Sequence, residues 1–286
     1  MADAPLIVSG TAEDVAYYAH RRYDDEESLR LYRTFASNSP NGAFVARDVE
    51  TPIGIGFASA LDDEWFLSEL FVEPSFQKQA IASQLLDAVA EGAGDVTRSG
   101  LLDPAEAAAL AFFLKRGVAL QTPVLSFSGA IPKEEEVARM AAGQYRFTTA
   151  PIDHVAHGYL LAALDRESRG TARTADHAYF AENAAGVTFE INGEFVGYVY
   201  VWPSGRIGPM VTASQAYAVQ MLAFALMLIY RTYGATWCRL LIPGTNLRVL
   251  RAALRAGLAI EKTLIFASDA SMLDLSRYVG FHQLLF

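Results

Sequence analysis

Short apolar runs and longer amphipathic stretches alternate along the first 130 residues, and their periods assign the elements. Alternating or fully apolar runs predict strands over 6–9, 42–48, 53–60, 65–72, 97–102 and 124–128. Apolar positions at helical spacing predict helices over 12–19, 26–36, 80–91 and 104–116. The last helix is well punctuated, with Asp103 as N-cap, Pro104 in the first helical position and Gly117 as a stop.

From Gly129 to Arg146 the chain turns polar, with Pro132, the run Lys133-Glu134-Glu135-Glu136 and Gly143. This divides the chain into a domain over 1–130, a linker helix within 131–144 and a second domain over 145–286. Strands are predicted over 145–149, 187–191, 197–202, 206–211 and 235–242, and helices over 152–164, 214–233 and 247–256. Asn192-Gly193 between apolar runs is a hairpin turn. The second half thus repeats the order of the first as an architecture, without residue-by-residue periodicity.

The most informative segment is 65–86, an apolar strand, a turn with Pro74, and a small-residue start to an apolar helix. The first amides of a helix lack intrahelical acceptors, and the helix dipole adds to their attraction for phosphate. Val72, Pro74, Gln77, Ala80, Ala82 and the Leu85-Leu86 pair keep the spacing Arg/Gln-x-x-Gly-x-Gly/Ala. The segment resembles the acetyl-coenzyme A pyrophosphate loop of the GNAT N-acetyltransferase superfamily. Ala80 stands where Gly is usual, and its methyl group crowds a pyrophosphate. Ala takes helical dihedrals readily, so the amide fan is expected to form all the same.

The second half resembles the C-terminal unit of tandem-GNAT bacterial proteins in Leu164-Asp165-Arg166, Gly197-Tyr198, Gly205-Arg206-Ile207-Gly208-Pro209 and Pro243-Gly244 with Asn246. The two resemblances imply an α/β (α+β) fold of two tandem GNAT-like domains. Each is a mixed, mostly antiparallel twisted sheet flanked by helices. They imply acetyl-CoA as co-substrate, held by the strand edge Leu70, Phe71 and Val72 where the strand splays from its neighbour. The loop Gln77, Lys78, Gln79, Ala80, Ile81, Ala82 and Ser83 would take the pyrophosphate. Glu69 stands where many members carry a general base, although on an alternating strand it could equally face solvent. Phe113 occupies the place of the tyrosine that often protonates the leaving thiolate, and Ala253 the equivalent place in the second half. No second loop of this spacing is present between Val211 and Tyr217, where Thr212 or Ser214 reads as a helix cap. The second half therefore reads as noncatalytic, a wall over the first half's cleft or a homodimer surface.

A length of 286 residues suits two domains, and 52% hydrophobic with 19% charged residues suits packed cores. A net charge of −9 lacks the basic footprint of a nucleic-acid binder. Cys238, the single cysteine, sits in an apolar run and reads as a buried structural thiol. The N-terminus has no signal-type core, and the apolar run 216–230 is too short to span a bilayer, so a cytoplasmic protein without membrane contact is expected. The five histidines show no ligand spacing, and no metal is expected. The acidic runs 24–27 and 62–64 read as solvated element starts or as a lip attracting a cationic amine. Two functions stay open. One is an acetyl-CoA-dependent N-acetyltransferase acting on the amine of a small molecule or peptide. The other is a catalytically inactive GNAT-like protein that binds CoA or another ligand as a sensor or scaffold.

Overall fold

A computed structural model describes residues 5–21, 23, 25–39, 41–91, 93–270 and 273–286. Asp24 of the acidic run and residues 1–4 lie outside the described residues. The chain packs as two compact units, Met1–Gln121 with Phe266–Asp269, and Thr122–Ile265 with Ala270–Phe286.

In the first unit, β1 (Leu6–Ser9) leads to helices α1 (Ala12–His20) and α2 (Glu26–Asn38). Both helices start on side-chain caps. The Thr11 hydroxyl accepts from the Asp14 amide at 3.2 Å in a capping box, and Asp25 accepts from the Ser28 amide at 2.8 Å. Strands β2 (Ala43–Asp48), β3 (Thr51–Leu61) and β4 (Glu64–Val72) follow, then a 3-10 turn (Pro74–Phe76), α3 (Ile81–Ala90), β5 (Thr97–Leu102) and α4 (Ala107–Lys115). The sheet order is β1-β2-β3-β4-β5, antiparallel as far as β4, with β5 parallel to β4. Residues 266–269 add to this unit through Ser268, whose hydroxyl lies 3.0 Å from that of Ser99, and through Asp269, which holds the Arg98 guanidinium at 2.8 Å.

Helix α3 buries Ile81, Leu85, Leu86 and Val89, one stripe at helical spacing, against the sheet. Gly54 and Gly56 of β3 lie beneath Leu85, and a Cβ on Gly54 would come within 2.8 Å of the Phe71 carbonyl. Helix α4 starts three residues later than its punctuation predicts. Asp103 accepts from the Ala105 amide and closes a turn instead of capping the helix, and Glu106 fills the N-cap position without a side-chain bond.

The second unit takes most of β6 (Ala119–Ala130), the strand expected to close the first domain. The reason is its pairing: Val124 to Ala130 run antiparallel to β11 (Trp237–Pro243). The expected linker contains α5 (Glu134–Ala141). Then come β7 (Thr148–Pro151), α6 (Gly158–Arg169), α7 (Thr174–Asn183), β8 (Ala185–Ile191), β9 (Glu194–Val201), β10 (Ile207–Thr212), α8 (Ala218–Tyr233), α9 (Leu247–Arg255), β12 (Ala259–Ser268) and, after a 3-10 turn, β13 (Tyr278–Val279). Asn192 and Gly193, both at positive φ, make the expected hairpin between β8 and β9.

Helix α6 begins at Gly158, not 152. Asp153 accepts from the Val155 and Ala156 amides and holds that stretch as a turn. Helix α8 likewise begins at Ala218, because the Ser214 hydroxyl accepts from Ala216 and Thr212 donates to the Ser214 carbonyl, binding the turn ahead of the helix. Elements α7, β12 and β13 have no counterpart in the sequence prediction. Cys238 is buried on β11, and burial pushes its thiol up to about 12. Among the described residues, no helix is long and apolar enough to cross a membrane.

Candidate functional site

The site of the first unit is built by an irregularity in β4. Phe57 of β3 pairs with Glu69 and the next residue, Ala58, with Leu67, so Ser68 is the extra residue of a β-bulge. A bulge reverses the side-chain alternation beyond it. Before it, Trp65 and Leu67 pack with Leu86, Val89, Phe112 and Phe113 beneath α3 and α4. After it, Leu70 and Val72 continue on that same side, Val72 with Ile81 and Leu85. Glu69 and Phe71 are thereby turned to the opposite face, under α1 and α2.

There Glu69 is buried, with 5% of its surface exposed, and accepts a hydrogen bond from the Tyr32 hydroxyl at 3.0 Å. The solvent-facing reading of Glu69 is excluded. The Tyr18 ring of α1 packs on Phe71, with centroids 5.5 Å apart. Arg21 lies 5.3 Å from the same ring and is ion-paired to Glu73. Burial, with Glu73 as the next cause, pushes the Tyr18 phenol up to about 12.

The bulge also ends the pairing with β5. The parallel register runs from Glu64↔Thr97 to Leu67↔Gly100, and beyond it the two strands part. Leu70, Phe71 and Val72 lie on this diverging edge. The chain then turns through Pro74–Phe76, and the Gln77 amide group donates back to the Val72 carbonyl at 3.1 Å. Lys78 and Ala80 adopt left-handed backbone with φ of 64° and 62°. This corrects the expectation of helical dihedrals at Ala80. Residue 80 is the N-cap, and its conformation is one that Gly adopts freely while an L residue bears roughly 1–2 kcal/mol.

Gln77, Lys78, Gln79, Ala80 and Ser83 are exposed, Ala82 is half-buried, and Ile81 turns its side chain into the core. Ile81 can therefore offer a ligand only its backbone. Gln84 is the first amide of α3 with a backbone acceptor among the described residues, donating to the Ala80 carbonyl at 3.1 Å. The amides of Ile81, Ala82 and Ser83 belong to the first turn, where a helix supplies no acceptor of its own. This strand edge, left-handed loop and helix start suit an extended arm ending in a diphosphate.

Phe113 is fully buried, and its ring tip lies 2.9 Å from where a Gly100 Cβ would stand. It is a core residue with no proton to give. Sequence reasoning missed Ser68, Tyr32, Tyr18 and Arg21. The only signal was Tyr32 and Phe35 at helical spacing in an apolar stripe.

The second unit uses the corresponding geometry differently. Strands β10 and β11 meet at Arg206↔Arg239, and farther along β13 lies against β10 through Val211↔Tyr278 and Met210↔Val279. The next residue, Gly280, exchanges backbone hydrogen bonds with Leu241 of β11 at 2.7 and 3.3 Å. The chain's own segment therefore lies between the two strands. Asn246 and Arg173 bond to Tyr278, Arg169 donates to the Phe286 carbonyl, and Phe281 stacks on Trp202 at 4.1 Å. Asp165 and Tyr198, two of the family-like positions, are hydrogen-bonded to each other in the interior, and Asp165 also meets His177 at 2.9 Å.

The first unit is a mixed sheet with a bulged strand, a diverging neighbour and an amide-rich loop at a helix start. Residues 11–118 match the acetyltransferase (GNAT) family, and the first unit is a GNAT domain. A proposed acetyltransferase from Pyrococcus horikoshii is similar at a TM-score of 0.72 and 15% identity, over 99% of this chain and 96% of that one. A GCN5-related N-acetyltransferase from Sphaerobacter thermophilus aligns at 0.62 and 13%, over 96% and 98%. A tandem GNAT protein from the clavulanic acid biosynthesis pathway aligns at 0.61 and 13%, over 92% and 98%. At these identities the likeness is one of fold, and it extends through both units. No curated protein sequence matches the chain.

Proposed function

We propose that the chain is an acetyl-CoA-dependent N-acetyltransferase whose first unit holds the donor and acetylates the amine of a small molecule or peptide. The observation that carries this reading is the Ser68 bulge, which at one point parts β4 from β5 and turns Glu69 to the helix-covered face. Leu70, Phe71 and Val72 would line the pantetheine arm, and the amides of residues 78–83 would face the diphosphate.

Acetyl-CoA supplies an acyl thioester whose carbonyl carbon accepts the amine nitrogen as the C–S bond breaks. Glu69, fixed by Tyr32, takes the proton that the acceptor ammonium must lose before its nitrogen lone pair is free. The second nitrogen proton is carried off by water to the released thiolate, since Phe113 has none to give. Holding amine and thioester together contributes much of the rate by itself.

Glu69→Gln should lower kcat by about 10²- to 10⁴-fold while leaving acetyl-CoA affinity intact, measured by thiol release and by calorimetry. Absence of acetyl-CoA binding at millimolar concentration would sink the reading. The buried Phe113 favours a second reading, a CoA-binding sensor. Binding without thioester consumption across a panel of amines would select it.

A further inference from the structure

Tyr18 is out of keeping with its surroundings. Only 3% of its surface is exposed, yet its hydroxyl has no hydrogen-bond partner among the described residues. A buried hydroxyl is normally satisfied, because leaving one bare forfeits its hydration without return. Its location is specific: the ring rests on Phe71, which the bulge places with Glu69 on the helix-covered face. Glu73, Tyr17, Arg21 and Asp14 act on it electrostatically, Glu73 most strongly. Arg21 and Glu73 form a partly exposed ion pair, 44% and 23% open, of the kind that holds little stabilisation and turns aside readily.

Taking the acetyltransferase reading as its basis, we infer that the Tyr18 hydroxyl is a specificity-determining contact for the acceptor, and that the acceptor is a cationic amine bearing a neutral hydroxyl or amide group. The amine nitrogen is directed to Glu69 and the connecting carbons lie on Phe71. The neutral oxygen accepts from Tyr18, whose phenol stays protonated because burial raises its pKa. A carboxylate-bearing acceptor is disfavoured, since Glu73 already neutralises Arg21 and Glu69 adds negative charge to the same face.

The test uses matched amine pairs, 2-aminoethanol with propylamine and 3-aminopropanamide with butylamine, each with acetyl-CoA. The wild-type protein should favour the hydroxyl or amide member by about tenfold or more in kcat/KM, the worth of one good hydrogen bond. Tyr18→Phe should bring the ratio close to one. The melting temperature of Tyr18→Phe should be unchanged or higher, because the lost hydroxyl bonds to none of the described residues; a fall of several degrees would mark it as structural and overturn the inference. Equal rates within each pair, a preference that survives Tyr18→Phe, or acetyl-CoA bound with no pair acetylated would also overturn it. Failure to bind acetyl-CoA at all would instead strike the reading on which it rests, so the two failures are told apart by the calorimetric titration.

Discussion

Ala80 stands in left-handed backbone at the mouth of the proposed diphosphate seat. Its methyl group bears a conformational cost there and crowds an approaching anion as well. Ala80→Gly relieves both, offset in part by the greater freedom of Gly in the unfolded chain. Acetyl-CoA should then bind several-fold more tightly by calorimetry, with a melting temperature no lower than wild type; equal affinity would show that the anion sits elsewhere. Gln79→Glu or Ala80→Asp should abolish binding by adding a negative charge to the loop. The spacing from Val72 to Leu86 was legible in the sequence, because turn and helix-start chemistry is local. The dihedral at Ala80 was not, since Ala carries no mark of positive φ as Gly does.

Strand β4 shows what one inserted residue accomplishes at the scale of an element. Trp65, Leu67, Leu70 and Val72 share a face only because Ser68 breaks the alternation. The skipped step between 67 and 70 was present in the sequence, but Phe66 and Phe71 on the other face concealed it, and a run apolar on both parities has no readable phase. Deleting Ser68 leaves Glu69 opposite Phe57 on the helix-covered face but removes the irregularity at which β4 leaves β5. The deletion should therefore bind acetyl-CoA more weakly in calorimetry, whereas Ser68→Ala, which keeps the extra residue, should bind it as the parent does. Equal affinity of the deletion and the parent would refute the role given to the bulge. Helix boundaries at 107, 158 and 218 were misread for a common reason: Asp103, Asp153 and Ser214 bond to amides two or three residues on and make turns ahead of the helices.

For the whole molecule, the two units share an element order that was visible in the sequence down to the paired helices α4 and α9. The stretch beyond Gly257 was not legible, because β12 and β13 gain their stability from partners distant in sequence. That stretch contains the residues that lie between β10 and β11 in the second unit. Tyr278 to Gly280 hold the backbone positions of β10 and β11 that an incoming arm would need, and they are tied down by Asn246, Arg173 and the Trp202–Phe281 stack. On the proposed function, the repeated architecture would then offer one seat for a nucleotide arm, not two. Saturation should come at a single equivalent of acetyl-CoA per polypeptide, and a calorimetric stoichiometry of two would mean that this built-in tenant gives way to the nucleotide.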